Sequence, residues 1–479
     1  MACPTLLNEN KPHPLIVICA FPASGHMRGP LQIASHLACR GFSVFFLSGE
    51  QFSSKAVSAG AEPWPNAMGP ITPSTIAGQY SLPQGPQRWN YQQKHIFLDG
   101  VPARHAILHE CLASLGERFP GRQVVIFHDT LFLGALPYLL GAPLPQGIDT
   151  MPHVMHFHTT INWAVSHAGD VAPYGLCLPP ARSEEDRARY RALSEEMRPA
   201  AREVVEYANK IFRELGAVEE LKGDFLYAAL LEQKDCVLLP SSPSLEYPRS
   251  DCPVGIKHIG GLPVKKQGRT HGDDGRVHGL PEWWEEVQRN TALPPNSPQR
   301  RKLVFVSQGT ANINDYGELL LPTIRALAGR QDILVVATLG SPGATPPCSS
   351  SPGEEHDFAV PENTLLTDYL PYDAILPLAD VFVFNGGYGG FMHGVMSGTP
   401  MVFAGTAADK GEVAARAEWA GVAVNLMTNN PSEDMLRNAV DKVLEDRRFK
   451  ASVMELKTEN EGMDALGTVE RLIWEFVEG

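Results

Sequence analysis

The sequence predicts an α/β chain of two halves, each a parallel sheet with helices on both faces. Three observations predict it. Runs such as LIVICA (15–20), QVVIF (123–127), LVFV (303–306) and ILVVA (333–337) are short and almost wholly apolar, as strands buried on both faces must be. Helix-prone stretches alternate with these runs, the pattern of βαβ units. From about residue 263 to 301 the texture changes to Gly, Pro and charge, and beyond that seam the alternation begins afresh.

In order along the chain, 15–20 reads as a strand, FPASGH as a loop, 30–40 as a helix stopped by Gly41, and SVFFLSG as the next strand. A strand over 123–127 ends at HDT, and 154–160 is a further strand. Residues 183–221 are charged and read as surface helices covering a cleft, while DCVLLP and IKHIGG close this half. PEWWEEV is a short helix within the linker. In the second half LVFVSQGT, DILVVATLG, NTLLTDYLP, ADVFVFNGG and PMVFAG are strands with their turns, 316–327 is a helix, and GVAVNL is the last strand. MDALGTVERLIWEFVEG has helical apolar spacing.

Bulk properties narrow the function. A chain of 479 residues with 43% hydrophobic and 20% charged residues builds two or three ordinary globular domains. A net charge of −14 argues against a nucleic-acid partner, whose phosphates need clustered Lys and Arg. It leaves room for a local anion site made of backbone N–H groups. The eight cysteines show no CxxC spacing and read as reduced thiols. No signal peptide and no run of about 18 apolar residues is visible, so the expectation is a cytoplasmic chain without a transmembrane anchor.

The stretch FVFNGGYGGFMHG (382–394) places four glycines between a strand and a helix. Without Cβ atoms the first N–H groups of that helix are open to a phosphate; the plain alternative is a tight turn packed on a neighbour. Other strand ends add to it, since ligands of open α/β sheets collect there. VFVSQGT offers Gly309 and a hydroxyl at Thr310, DYLPY offers Tyr369 and Tyr372 for stacking or for core packing, and AGTAADKGE offers Asp409, either for sugar hydroxyls or as a helix cap. In the first half His26 is a candidate general base and Asp129, ending another strand, its orienting carboxylate or a simple cap. Two tempting metal motifs read otherwise: the acids of HGDDG (271–275) as a solvated turn, and His156 and His158 of HVMHFHTT as core or pocket residues.

The order VSQGT, DYLPYDAIL, DVFVFNGGYGG, then GTPMVFAG with ADKGEVAAR, resembles the donor-binding half of UDP-dependent glycosyltransferases of the small-molecule (family 1) type, in flavour nearest fungal and bacterial members. The ASGH of 23–26 and the HD of 128–129 are similar too. The resemblance implies a GT-B fold: Rossmann-like domains over 1–263 (acceptor) and 302–460 (UDP-sugar), facing across a cleft, with a linker over 264–301 and a final helix over 461–479 crossing back to the first domain. It makes His26 the base and Asp129 its partner. Gly309, Thr310 and the N–H groups of Gly387, Tyr388, Gly389 and Gly390 match the diphosphate site. Tyr369 falls where a ring stacks on uracil, with Leu370 beside it counted among the donor-binding residues, Tyr372 where a glutamine is common, and Asp409 and Lys410 at an Asp–Gln pair that contacts the sugar. Asn385 replaces a common phosphate-binding histidine, and His393 a glutamate that binds ribose hydroxyls.

The activity implied by the resemblance is an inverting, metal-independent transfer of a sugar, most commonly glucose, from UDP to a hydroxyl of a hydrophobic phenolic, polyketide or terpenoid. UDP-glucose is a co-substrate and no cofactor is needed. The expected state is a monomer or weak dimer. A non-catalytic nucleotide-sugar binder and a GT-B epimerase or hydrolase stay open as alternatives. Aromatics in and near 64–100 and 172–225 (Trp64, Trp89, Tyr91, Phe97, Trp163, Tyr174) suit either an apolar acceptor pocket or a packed lid.

Overall fold

The computed structural model describes residues 12–65, 72–83, 85–232, 236–264, 270–271, 277–278, 280–309, 315–345 and 359–478. Seven strands form the first sheet: β1 Leu15–Cys19, β2 Ser43–Ser48, β3 Glu62–Pro65, β4 Val124–Asp129, β5 His153–Phe157, β6 Val237–Leu239 and β7 Ile256–His258. A two-stranded antiparallel ribbon, β8 Thr270–His271 and β9 Val277–His278, lies in the linker. Six strands form the second sheet: β10 Lys302–Ser307, β11 Ile333–Thr338, β12 Thr364–Thr367, β13 Val381–Phe384, β14 Met401–Phe403 and β15 Ala423–Asn425. The orders are β3-β2-β1-β4-β5-β6-β7 and β12-β11-β10-β13-β14-β15, and both sheets are parallel. β1, β4 and β11 are buried along their whole length, as their apolar runs require.

Register sets the site. One row of Cα partners crosses the second sheet as Thr367, Thr338, Ser307, Phe384, Phe403 and Asn425. The carboxyl ends of its strands are therefore level, and the turns after them open on one edge. In the first sheet Cys19 pairs with both Leu47 and His128, and Asp129 with Phe157.

Several boundaries differ from the sequence reading, four of them for a clear local reason. The first helix is Ser24–Cys39, so His26 sits in its first turn and not in a loop. Its N-cap is Ala23, which has no side-chain acceptor to signal a start, and Pro30 lies inside it. β5 stops at Phe157, three residues early, and Thr159 N–H turns to Thr130 Oγ1 at 2.9 Å. The helix expected from 316 begins at Leu320, where Gln308 Oε1 accepts the N–H groups of Leu319 and Leu320 at 3.3 and 2.8 Å. The charged segment is one long helix, Glu184–Glu214, opened by a Ser183–Asp186 capping box.

The last helix, Ala465–Glu478, lies on the first half. Val469, Leu472, Ile473 and Trp474 join a core with Ile16, Ile33, Leu37 and Phe42, and Glu470 holds His36 Nε2 and Arg40 Nε at 2.9 Å each. A second tie is ionic. Arg416 Nε donates to Glu246 Oε2 of the first half at 2.7 Å, and its Nη1 to Glu412 Oε2 at 2.9 Å. Glu412 Oε1 in turn accepts the N–H groups of Gly175 and Cys177 from the first half at 2.7 and 2.8 Å. All three side chains are at least 90% buried. Arg416→Met keeps the stem but leaves two buried carboxylates without their cation. It is expected to cost about 3–5 kcal/mol in urea unfolding; an unchanged midpoint would show that the halves are held elsewhere.

Candidate active site

Because β1 and β4 are neighbours, the segments that follow them leave the sheet side by side, and His26 meets Asp129. His26 Nδ1 lies 2.9 Å from Asp129 Oδ2. The Asp129 side chain is fully buried and also accepts Phe21 N–H at 3.0 Å and Leu131 N–H at 2.8 Å. Those bonds fix the carboxylate, and the carboxylate fixes the ring. With Nδ1–H on Asp129, Nε2 is the free nitrogen. Burial is the largest influence on His26 and opposes its charge, but Asp129, by charge and hydrogen bond, and Asp409 together outweigh it and raise the pKa above 6.5.

His26 opens on a cavity of about 490 Å³ between the halves, with Asp409 also on its wall. Its apolar lining includes Trp89, Phe97, Trp163, Tyr174 and Tyr227, with the rings of Trp163 and Tyr227 4.1 Å apart. Trp64 instead packs against a core cluster on the first sheet's outer edge, and Tyr91 against His95 at 4.6 Å. Asp409 does not cap its helix, Lys410–Trp419, through its side chain. Its Oδ2 accepts the Thr160 hydroxyl of the first half at 2.6 Å. Ala408, just before it, takes a left-handed φ of 53°.

At the second sheet's open edge the glycine run divides its work. Gly386 has φ 90°, and Gly387 is the N-cap of helix Tyr388–Ser397. A Cβ on Gly390 would meet Phe384 Cε2 at 2.9 Å, whereas Cβ atoms on Gly387 and Gly389 would meet nothing within 4 Å among the described residues. The helix start is thus packed on one side and open on the other. Gly309, with φ 83°, follows β10 beside Asn385, whose amide nitrogen donates to the Gln308 carbonyl. The Lys410 stem lies against Gly386 and Gly405, and burial lowers its pKa below 10.5 despite Asp409. Tyr369 is half-buried after β12, with its N–H on Asp368 Oδ1 at 2.7 Å. Thr310 lies outside the described residues, as do 272–275 of the HGDDG turn.

The side chains of three residues within the expected donor motifs are turned inward, although for Tyr388 the expected contact is its N–H. Leu370 and Tyr388 are 2% and 8% exposed and belong to the core. The Tyr372 ring packs on Phe305 and Phe382, and its hydroxyl donates to Ser307 Oγ at 2.8 Å. His393 Nδ1 is 3.2 Å from Asp373 Oδ1, while Arg28 of the first half reaches the same oxygen at 3.5 Å. Burial, helped by Arg28, pushes His393 down to about 4 against the pull of Asp373, so it is neutral at pH 7.

His156 and His158 are buried beneath the site and 3.4 Å apart, Nε2 to Nδ1. Among the described residues no three His, Cys, Asp or Glu side chains form a metal-ligand set. Sequence reasoning passed over Thr159 and Thr160. Their one signal was the TT that ends HVMHFHTT, read as strand.

Two parallel-sheet halves with the site between them are the architecture of GT-B glycosyltransferases. The kitacinnamycin glycotransferase matches it with a TM-score of 0.65, over 97% of this chain and 99% of its own, at 19% identity. Residues 352–465 match the family model described as erythromycin biosynthesis protein CIII-like, C-terminal domain. UDP-glucosyltransferase 1 of Beauveria bassiana is 37% identical over 466 residues, 96% of this chain and 94% of that protein. UDP-glycosyltransferase 2 of Phaeomoniella chlamydospora is 33% identical over the same shares. The chain belongs to the UDP-glycosyltransferase family. Among the described residues no helix is long and apolar enough to cross a membrane.

The glycines yield a contrast to measure. Gly390→Ala forces a methyl onto the buried Phe384 ring and is expected to cost about 1–3 kcal/mol. Gly389→Ala is expected to hold stability or raise it by about 0.5–1 kcal/mol, as Ala does in a helix, yet to weaken UDP binding. Thermal unfolding and titration calorimetry of both variants check this.

Proposed function

We propose that the protein transfers glucose from UDP-glucose to a hydroxyl of an apolar small molecule, with inversion at the anomeric carbon and His26 as base. The observation that carries this reading is the His26–Asp129 pair, its carboxylate buried and its imidazole opening on an aromatic cavity whose wall includes Asp409. Glucose as the sugar draws support from the Beauveria relative, a UDP-glucosyltransferase. The aromatic lining favours a flat phenolic, polyketide or terpenoid acceptor.

In this scheme His26 Nε2 takes the acceptor's proton as its oxygen bonds to the anomeric carbon. Asp129 stabilises the imidazolium. The bond to the diphosphate breaks on the opposite face, and the charge left on UDP is met by the open N–H groups around Gly387 and Gly389, with Lys410 nearby. Charge is balanced without a metal or a further cofactor. Tyr369 stacks on the base. Asp409 exchanges its Thr160 bond for sugar hydroxyls, which a carboxylate accepts well.

The test is mass spectrometry of products from a matrix of UDP-sugars and apolar acceptors. A mass gain of one hexose is expected with UDP-glucose, and free glucose without any conjugate would point to a hydrolase. His26→Ala is expected to lose about 10²–10⁴ in turnover; full turnover in that variant removes His26 as base.

The pH profile has a definite sign. The base must be neutral and its pKa is raised, so kcat/KM should climb with pH through a value above 6.5. Asp129→Asn removes the largest favourable influence and leaves burial, so that limb should move to lower pH while turnover falls. A limb that stays in place would uncouple Asp129 from His26.

A further inference from the structure

We propose that Thr159, Thr130 and His158 form a hydrogen-bond chain of fixed polarity that keeps the proton of His26 on Nδ1, making Thr159 and Thr130 positioning residues for the base. This rests on the reading of His26 as base. The chain starts at the ring: Thr159 Oγ1 lies 3.2 Å from His26 Nδ1, the atom that also faces Asp129. A nitrogen that donates to a carboxylate carries a hydrogen, so the Thr159 oxygen receives and its own hydrogen goes elsewhere. It goes to Thr130 Oγ1, 3.3 Å away, which also accepts Thr159 N–H at 2.9 Å. Thr130 in turn has two acceptors at 3.3 Å, the Phe157 carbonyl and His158 Nδ1. His158 Nε2 lies 2.6 Å from the Ile161 carbonyl and must donate there, which leaves Nδ1 as an acceptor. His158 is fully buried, and burial pushes its pKa down to about 4, so this arrangement persists across the working pH range.

The chain removes a competitor. A Thr159 hydroxyl with an idle hydrogen turned to Nδ1 would work against Asp129, which holds the ring's proton there, and favour the tautomer protonated on Nε2, the atom that must be bare. Committing that hydrogen to Thr130 closes the alternative. The charged and titratable groups facing His26 are Asp129 at the end of β4, Asp409 from the second half and neutral His158 beyond β5. Substitution of either threonine alters none of them.

The test uses full-length enzyme with 15N-labelled histidine. The His26 signals are identified by their loss in His26→Ala, and kcat and its pH profile are measured alongside. Wild type and Thr130→Ser are expected to show a single Nδ1–H tautomer. Thr130→Val frees the Thr159 hydrogen and should shift part of the population to Nε2–H. Its kcat should fall about fivefold, the weight of one neutral hydrogen bond, with little change in KM. Adding Thr159→Val removes the competing donor. The double variant should regain the single tautomer and exceed Thr130→Val in kcat. A structural role alone would make the double variant worse. Wild-type nitrogen shifts in Thr130→Val, or a double variant no better than it, overturn the chain. Full turnover in His26→Ala overturns the base reading, and the nitrogen shifts still judge the chain.

Discussion

Arg416 is the interaction on which the rest depends. His26 stands on one half and Asp409 and the open helix start on the other, so they face one cleft only while the halves keep one spacing. The guanidinium sits between Glu246 and Glu412, 4.4 Å above the Tyr247 ring, and Glu412 also grips two backbone N–H groups of the opposite half. Burying three charges contributes little net stability, because desolvation offsets their attraction. It penalises every other alignment, since any slip leaves a charge unpaired away from water. Thr160–Asp409 and Arg28–Asp373 span the same cleft on weaker terms.

With the spacing set, the chemistry divides between rigid and open parts. The rigid part is Asp129, whose oxygens hold two backbone N–H groups as well as His26. The open part is the cleft side of the glycine run, where no side chain among the described residues stands within 4 Å of a Cβ placed on Gly387 or Gly389. Gly390 belongs to neither. It is there because Phe384, stacked 4.3 Å from Phe382, leaves no space for a methyl group.

Much of this was legible in the sequence, and the limit is physical. Strands buried on both faces announce themselves locally, so the two sheets and the order of their strand-end motifs could be read directly. The meeting of His26 and Asp129 was legible because Asp129 ends one strand and His26 follows another that could be its neighbour. The start of the first helix was not, because Ala23 has no capping side chain. Leu370, Tyr372 and Tyr388 sit within the donor motifs, but the direction of each side chain is set by core packing. That packing turns Tyr388 inward while its neighbours Gly387 and Gly389 face out. The Glu412 clasp joins residues 235 and 237 positions apart, which no local pattern encodes. Thr159 and Thr160 were hidden by a strand end misplaced by three residues, enough to make two cleft-facing hydroxyls look like sheet.

The crossing of helix Ala465–Glu478 bears on how the chain is made. Glu470 closes on His36 from 434 residues further along, and the Trp474 ring packs at a tilt against Phe42, 5.7 Å between centroids. The first half leaves the ribosome early but lacks part of its own core until this late segment emerges. Through most of translation it must therefore present an apolar face around Ile33, Leu37 and Phe42 to whatever folding helpers are at hand. Vectorial synthesis and final assembly are out of step in this molecule, and the first half is completed only after the second has been made.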